Sequence, residues 1–271
     1  MSKSPVLGHR ARKRFGQNFL HDKMVINNIV RHIRPEPGQL LVEIGPGMGA
    51  ITELLLAQGG GHLHVVELDK DLIPILRTKF FNYPGFQIHE GDALKFPFDT
   101  LVPEGQKMRL IGNLPYNIST PLIFHLLEFA PMVSDMHFML QKEVVERMAA
   151  QPGDKAYGRL GIMVQYFCRV SPLFEVPPGA FTPRPKVDSA IVRLEPYTNR
   201  PIEVKSINVL ERVVRTAFNM RRKTIRNALA DCITDAELTV MGLDPACRPE
   251  NLALADYARI ADRVADHLTH D

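Results

Sequence analysis

The stretch Leu40-Leu41-Val42-Glu43-Ile44-Gly45-Pro46-Gly47-Met48-Gly49 decides how this chain folds. An apolar run over 39–44 ends in three glycines spaced two apart. A helical pattern through Leu54, Leu55 and Leu56 follows, and Gly59-Gly60-Gly61 stops it. This is strand, glycine turn, helix. Outward from it, 63–68 reads as a second strand ending in acids, 71–81 as a helix, and 87–89 as a third strand before Gly91-Asp92-Ala93. A fourth strand, 108–111, runs into Gly112-Asn113-Leu114-Pro115-Tyr116. Further on, 120–129 and 142–150 read as helices and 136–140, 163–167 and 190–194 as strands. Alternation of this kind predicts an α/β fold, a mainly parallel sheet with helices on both faces. Pro196, Thr198, Asn199 and Pro201 form a loop-like seam. Beyond it only helical periodicity remains, near 210–218, 223–231, 235–241 and 253–268. Two domains are therefore expected, 1–199 and a small all-helical 200–271.

Composition excludes several classes. The chain has 271 residues, 45% hydrophobic and 23% charged, which rules out disorder and fibres. No apolar run approaches the length of a membrane span. Residues 1–14 are polar and basic with no apolar stretch behind them, so no secretion signal is read and a cytoplasmic location is expected. Cys168, Cys232 and Cys247 are odd in number and scattered, which predicts buried thiols rather than disulfides or a metal pair. No histidine spacing suggests a metal, and His62 and His64 alternate as on a half-exposed strand face.

The net charge of +3 hides an asymmetry. Residues 1–34 carry eight Lys/Arg against one acid, residues 200–230 eight against two, and the last 41 residues a net −6. Two basic segments on an acidic body suggest a polyanion footprint, the plain alternative being solvated helix faces.

In an open parallel sheet ligands sit outside the carboxyl ends of the strands, and here successive strand ends suit one nucleoside. Gly45, Gly47 and Gly49 let backbone approach a ligand and open a helix, although a tight strand-to-helix turn would use the same residues. Glu67, with Leu68 after it, stands 22 residues beyond Gly45, where an acid can accept both hydroxyls of a ribose. Asp92, followed by Ala93, can accept from an adenine amino group or merely cap a helix. Together they predict an adenosine-containing ligand.

Asn113-Leu114-Pro115-Tyr116 suits methylation of an exocyclic adenine amine. That nitrogen is a poor nucleophile because its lone pair is delocalised into the ring. Attack on a sulfonium methyl needs it held pyramidal and in line. The Asn113 side-chain oxygen and the Leu114 carbonyl can accept its two hydrogens, Pro115 fixes the turn, and Tyr116 stacks on the base. The plain alternative is a turn with a buried tyrosine.

The chain resembles the ribosomal RNA adenine N6,N6-dimethyltransferases, and among them the bacterial small-subunit branch. The match runs through Phe15-Gly16-Gln17-Asn18-Phe19-Leu20, the glycine turn, Gly91-Asp92-Ala93 and 113–119. It continues through 141–148, 157–160, Phe181-Thr182-Pro183-Arg184-Pro185-Lys186-Val187-Asp188-Ser189 and 218–227. The resemblance implies a Rossmann-like methyltransferase domain with a small helical C-terminal domain and S-adenosylmethionine as methyl donor, with no metal. It also implies cofactor contacts from Asn18, Leu20, Gly45, Glu67, Asp92 and Asn113. Phe181 matches an aromatic that packs against the target base, although the residue itself, before a Pro-rich turn, reads more readily as a core Phe. The implied substrate is a pair of adjacent adenosines in a hairpin loop near the 3′ end of small-subunit (16S) rRNA, dimethylated during ribosome maturation. Arg221, Arg222, Lys223 and Arg226 become candidate phosphate contacts, with Arg10, Arg12, Lys13 and Arg14 at the other basic edge. Met220 stands where relatives often have Gln, and Gly161 where they often have Ser. Nothing demands more than a monomer.

Three other functions compete. A large-subunit rRNA adenine methyltransferase shares the pocket, but 218–227 favours the small-subunit enzyme. A DNA adenine methyltransferase typically has Pro where Leu114 stands. An RNA-binding assembly factor would need ribosome binding more than catalysis. A nicotinamide dehydrogenase is remote beside these motifs, and the third glycine position of the dinucleotide fingerprint holds Ala50, which that fingerprint sometimes tolerates.

Overall fold

The computed structural model describes residues 17–270. Phe15, Gly16, Arg10, Arg12, Lys13 and Arg14 lie outside the described residues. Packing divides the chain into two units, 1–145 with 171–196, and 146–170 with 197–271. The second division falls at the Pro196/Tyr197 seam. Residues 146–170, which a single seam keeps with the first domain, pack with the helical part instead.

The first unit is built on a sheet. Its strands are β2 (Leu40–Ile44), β3 (His62–Glu67), β4 (Gly85–Glu90), β5 (Met108–Asn113), β6 (Val133–Gln141), β7 (Cys168–Val176) and β9 (Ser189–Pro196). They lie in the order β4-β3-β2-β5-β6-β9-β7, and β4 through β6 run parallel while β9 is antiparallel to β6. Val42, Leu63, Val65, Leu110 and Phe138 are fully buried, as continuous apolar strands between two helical layers require. Helices α2 (Thr52–Gln58), α3 (Leu72–Lys79) and α4 (Ser119–Leu127) connect the parallel strands. Before them comes α1 (Lys23–Ile33), capped by Asp22 and burying Ile26, Ile29, Val30 and Ile33 at helical spacing. A two-residue strand β1 (Phe19–Leu20) pairs with β8 (Phe181–Thr182).

The second unit contains α6 (Arg159–Phe167), α7 (Ile207–Asn219), α8 (Ile225–Ala228), α9 (Asp235–Val240) and α10 (Leu254–His270), and α5 (Lys142–Ala149) enters it. Leu210, Val213, Val214 and Ala217 form the buried stripe of α7, and a Thr234/Glu237 capping box starts α9. The Tyr157 hydroxyl donates to the Leu252 carbonyl at 2.9 Å, which fastens the inserted segment to the C-terminal part of the same unit.

The sequence reading fails at two points. Residues 163–167 are the end of a helix, and the strand begins only at Cys168. Leu160, Ile162, Met163, Val164 and Tyr166 are all buried, so α6 is apolar on most sides and lacks the polar stripe that distinguishes a helix from a buried strand. Of the three thiols Cys168 is buried, with its pKa pushed up to about 12 by burial, while Cys232 and Cys247 are half-buried. His62 is exposed, and His64 meets His89 across β3 and β4 at 3.0 Å. Among the described residues no helix is long and apolar enough to cross a membrane, and no three His, Cys, Asp or Glu side chains come together as a metal site.

Candidate active site

β2 and β5 are sheet neighbours, yet the chain leaves β2 toward β3 and leaves β5 toward β6, so a crevice opens where the two directions part. A cavity of about 220 Å³ lies there, at the carboxyl ends of the strands. Each side of it is supplied by one of the local signals.

The three glycines have φ of 66°, 58° and 77°, a left-handed region that favours glycine. Each has a different neighbour. A Cβ on Gly45 would meet no atom within 4 Å, leaving that wall of the cavity open for a ligand. One on Gly47 would sit 3.1 Å from the Phe19 ring, and one on Gly49 2.7 Å from Phe80 on the side of α3. Gly45 and Gly47 line the cavity and Gly49 does not.

Glu67 ends β3 with 6% exposure and lines the cavity. Its Oε1 accepts from the Asp69 amide at 2.7 Å, and burial pushes its carboxyl up to about 7. Glu43, 2% exposed, is a second acid in the lining that site reasoning passed over. Thr52 donates to it at 2.6 Å, yet burial also raises it to about 7, with the Glu67 charge adding to the rise. Asp92 accepts from the Leu94 amide at 3.0 Å through Oδ1, a local turn that still leaves the residue on the cavity wall. Leu68 and Ala93 line it as well.

Asn113 closes β5. Its Nδ2 donates to the Asn18 carbonyl at 3.0 Å. A carbonyl can only accept, so the amide orientation is fixed and Oδ1 faces away from Asn18 as an acceptor. The Leu114 amide donates to Met139 across to β6 at 3.1 Å, and the Ile118 amide closes the turn on the Pro115 carbonyl. The Tyr116 hydroxyl lies 2.6 Å from Ser189 Oγ, a fully buried residue at the start of β9, and burial pushes the phenol pKa up. The leading segment covers this wall. Asn18 and Leu20 line the cavity, β1 pairs with β8, and Gln17 donates to Asp69 at 2.8 Å.

Phe181 is placed elsewhere. It pairs with Leu20 across the two-residue sheet, is 2% exposed within the apolar core, and does not line the cavity. The basic quartet splits. Arg221 donates to the Lys155 carbonyl at 2.7 Å and Arg226 pairs with Asp235 at 2.5 Å, while Arg222 and Lys223 are exposed.

Among its described lining residues the cavity has three carboxylates, from Glu43, Glu67 and Asp92, and no Lys, Arg or His. An acidic lining without a cation, whose buried acids ionise more readily beside a positive charge, suits a cationic ligand with hydroxyl and amino donors and disfavours a pyrophosphate. The glycine cradle, the acid at the second strand end and the apolar remainder fit S-adenosylmethionine.

Residues 8–266 match the family model of ribosomal RNA adenine dimethylases. The chain belongs to that family. The dimethylase is 65% identical over 259 residues to the ribosomal RNA small subunit methyltransferase A of Marinobacter nauticus, covering 96% of this chain and 93% of the relative. It is 59% identical to the Pseudomonas aeruginosa protein of the same name, over 97% and 98%. Among solved structures it superposes on a dimethyladenosine transferase from Plasmodium falciparum with TM-score 0.71 and 28% identity, over 89% and 95%. A 23S rRNA methyltransferase, ErmE, shares the fold with TM-score 0.70 and 24% identity, over 92% and 100%. In the dimethylase the residues that local sequence signals missed are Glu43, Ser189 and Phe19. Glu43 was readable as an acid inside an apolar strand, whereas Ser189 lies 73 residues from Tyr116 and leaves no local trace.

Proposed function

We propose that this chain transfers methyl groups from S-adenosylmethionine to N6 of two adjacent adenosines in the 3′-terminal hairpin loop of small-subunit rRNA, acting as a monomer in the cytoplasm. The observation that carries the reading is the cavity, without a cation among its described lining residues, into which Glu67, Asp92 and Asn113-Leu114-Pro115-Tyr116 converge in a member of this family.

Bound S-adenosylmethionine supplies an electrophilic methyl on a sulfonium. Glu67 accepts the ribose hydroxyls, and Asp92 accepts from the adenine amino group. Asn18, Leu20, Leu68 and Ala93 pack around the nucleoside, and Gly45 and Gly47 admit the remainder. At the target base, Asn113 Oδ1 and the Leu114 carbonyl accept the two amine hydrogens and keep the nitrogen lone pair off the ring. Tyr116, held by Ser189, supplies the stacking face. Positioning then contributes most of the rate. No strong base is required, because the amine proton becomes acidic as the methyl arrives. Phe181 supports the strand carrying Leu20 rather than the base. Arg222 and Lys223 are the members of the basic quartet best placed to meet RNA phosphates.

Transfer of labelled methyl groups to small ribosomal subunits lacking the modification tests this. Two methyls on each of two adenosines are expected, with large subunits unlabelled and Asn113→Ala inactive. Labelling of large-subunit RNA instead, or full activity in Asn113→Ala, would overturn the reading.

A further inference from the structure

The opposite edge of the same sheet, in the same unit, carries a second hollow. It is an open cleft of about 900 Å³ at the amino ends of β2, β5 and β6, lined by Arg31, Arg34, Lys107, Arg109 and Arg193 with Asp135 as the sole acid among its described lining residues. Its charge is the reverse of the cofactor cavity's.

The floor is a structural pair. Arg109 is 8% exposed and bridges Asp135 twice, Nε to Oδ1 and an Nη to Oδ2, each at 2.9 Å. The same Nη also donates to the Ile33 carbonyl at 2.5 Å, and the other Nη donates to the Arg34 carbonyl at 3.2 Å and to Gln39 Oε1 at 2.7 Å. Asp135 is thereby neutralised, and the negative end of α1 is already answered by one buried guanidinium. Arg193 pairs with Glu195 at 3.0 Å. Arg31, Arg34 and Lys107 are exposed and have no ion-pair partner among the described residues, so their charge exceeds what the fold consumes.

Arg34 adds an independent sign. It ends α1 with φ 50° and ψ 63°, and it alone among the described non-glycine residues has positive φ. A helix end in this conformation favours glycine, and an arginine there carries backbone strain that glycine would avoid. Within the fold its backbone N–H closes on the Val30 carbonyl, a bond glycine would make equally well.

We propose that this cleft is a second RNA contact of the catalytic unit, holding the phosphodiester backbone through Arg31, Arg34 and Lys107. The proposal rests on the rRNA-methyltransferase reading. His32 is the one aromatic ring among the described residues lining the cleft, and it packs against Phe174 at 5.2 Å, so the five cations dominate and the contact positions the RNA without reading its sequence. It gives the basic segment 1–34 a role on the unit that holds the cofactor cavity.

The test compares wild type with Arg31→Gln/Arg34→Gln/Lys107→Gln in binding to unmethylated small subunits across a salt series. Loss of two to three phosphate contacts flattens the dependence of log affinity on log salt by about 2 and lowers affinity about tenfold or more near physiological salt. Affinity for S-adenosylmethionine and kcat at saturating subunits stay at wild-type values, because these side chains lie at the far edge of the sheet. Arg34→Gly separates backbone from side chain: it raises the unfolding temperature while weakening subunit binding, and Arg34→Lys restores binding. Wild-type affinity and salt slope in the triple variant would overturn the proposal and leave the methyltransferase reading intact. Weakened S-adenosylmethionine binding in the triple variant would overturn it too, since the effect would then run through the fold. Wild type failing to bind subunits would instead sink the underlying reading.

Discussion

Replacing Glu67 with Gln should make the free protein more stable and the cofactor site worse. Burial raises the Glu67 carboxyl from 4.5 to about 7, so the folded state keeps a proton there that the unfolded chain releases. For an acid whose folded pKa lies above its unfolded value, stability falls as pH rises through the window from about 4.5 to 7 and stays lower above it. At 1.36 kcal/mol per unit the penalty is about 3 kcal/mol, an upper value because the Asp69 amide hydrogen bond is weaker to a neutral amide. Glu67→Gln should therefore match wild type at about pH 4, below the window, and exceed it by up to about 3 kcal/mol at about pH 8. Urea unfolding at several pH values measures the difference. Cofactor binding should run the other way. Ribose hydroxyls donate, so they favour the ionised carboxylate, and wild-type affinity for S-adenosylmethionine should fall as pH drops below about 7. In the Glu67→Gln variant it should be weaker at pH 8 and nearly flat with pH. No histidine is among the described residues lining the cavity, and Glu43, also raised to about 7, is the other acid to control for, through Glu43→Gln. A Glu67→Gln variant less stable than wild type by the same amount at both pH values would refute the buried-charge argument. Unchanged affinity for S-adenosylmethionine would refute the ribose contact.

Two further substitutions probe contacts that the sequence left hidden. Ser189→Ala removes the 2.6 Å partner of the Tyr116 hydroxyl and should cost about 1–2 kcal/mol of stability and several-fold in kcat, with cofactor affinity unchanged. Tyr116→Phe should behave alike and the double variant should be no worse than either single one, whereas additive losses would show that the two residues act separately. Gly161→Ser, which introduces the residue often found in relatives, should destabilise by about 1–3 kcal/mol, because a Cβ on Gly161 collides with the Arg147 backbone carbonyl. Without that collision a side chain inside α6 would gain roughly 0.5–1 kcal/mol over glycine, so the sign measured in urea decides the matter.

What was legible in the sequence was local. Residues 40–58 declare a strand, a turn and a helix in succession, Glu67 and Asn113 announce themselves as polar residues where an apolar run stops, and Asp92 as the acid after Gly91. Their convergence followed from the parallel topology alone, since successive parallel strands present their carboxyl ends on one edge. The features that were missed depend on distance along the chain or on burial. Ser189 reaches Tyr116 only because β9 returns antiparallel beside β6. Phe181 reads by itself as a core residue, with the base-packing role implied only by the resemblance, and its burial beside Leu20 places it in the core. The helix α6 was mistaken for a strand because its environment is apolar on most sides. Residues 146–170 leave the sheet and come back, so no single seam in composition could mark the second unit.

The same dependence on distance explains why net charge was a poor guide to the two hollows. The whole-chain sum of +3 hides, among the described lining residues, a cavity with three acids and no cation at one edge of the sheet and a cleft with five cations and one acid at the other. A methyl donor with a sulfonium centre and an RNA with a phosphate backbone need opposite fields, and a doubly wound sheet separates them by its own length. The carboxyl ends gather the acids because strand-end loops are free to carry them. The amino ends collect cations from α1, from the loop before β5 and from β9, elements that no sequence window contains together. Placing a cation on the cavity wall, as in Leu68→Arg, should accordingly weaken S-adenosylmethionine binding while leaving subunit binding intact; equal losses in both assays would show that the two fields are not separable.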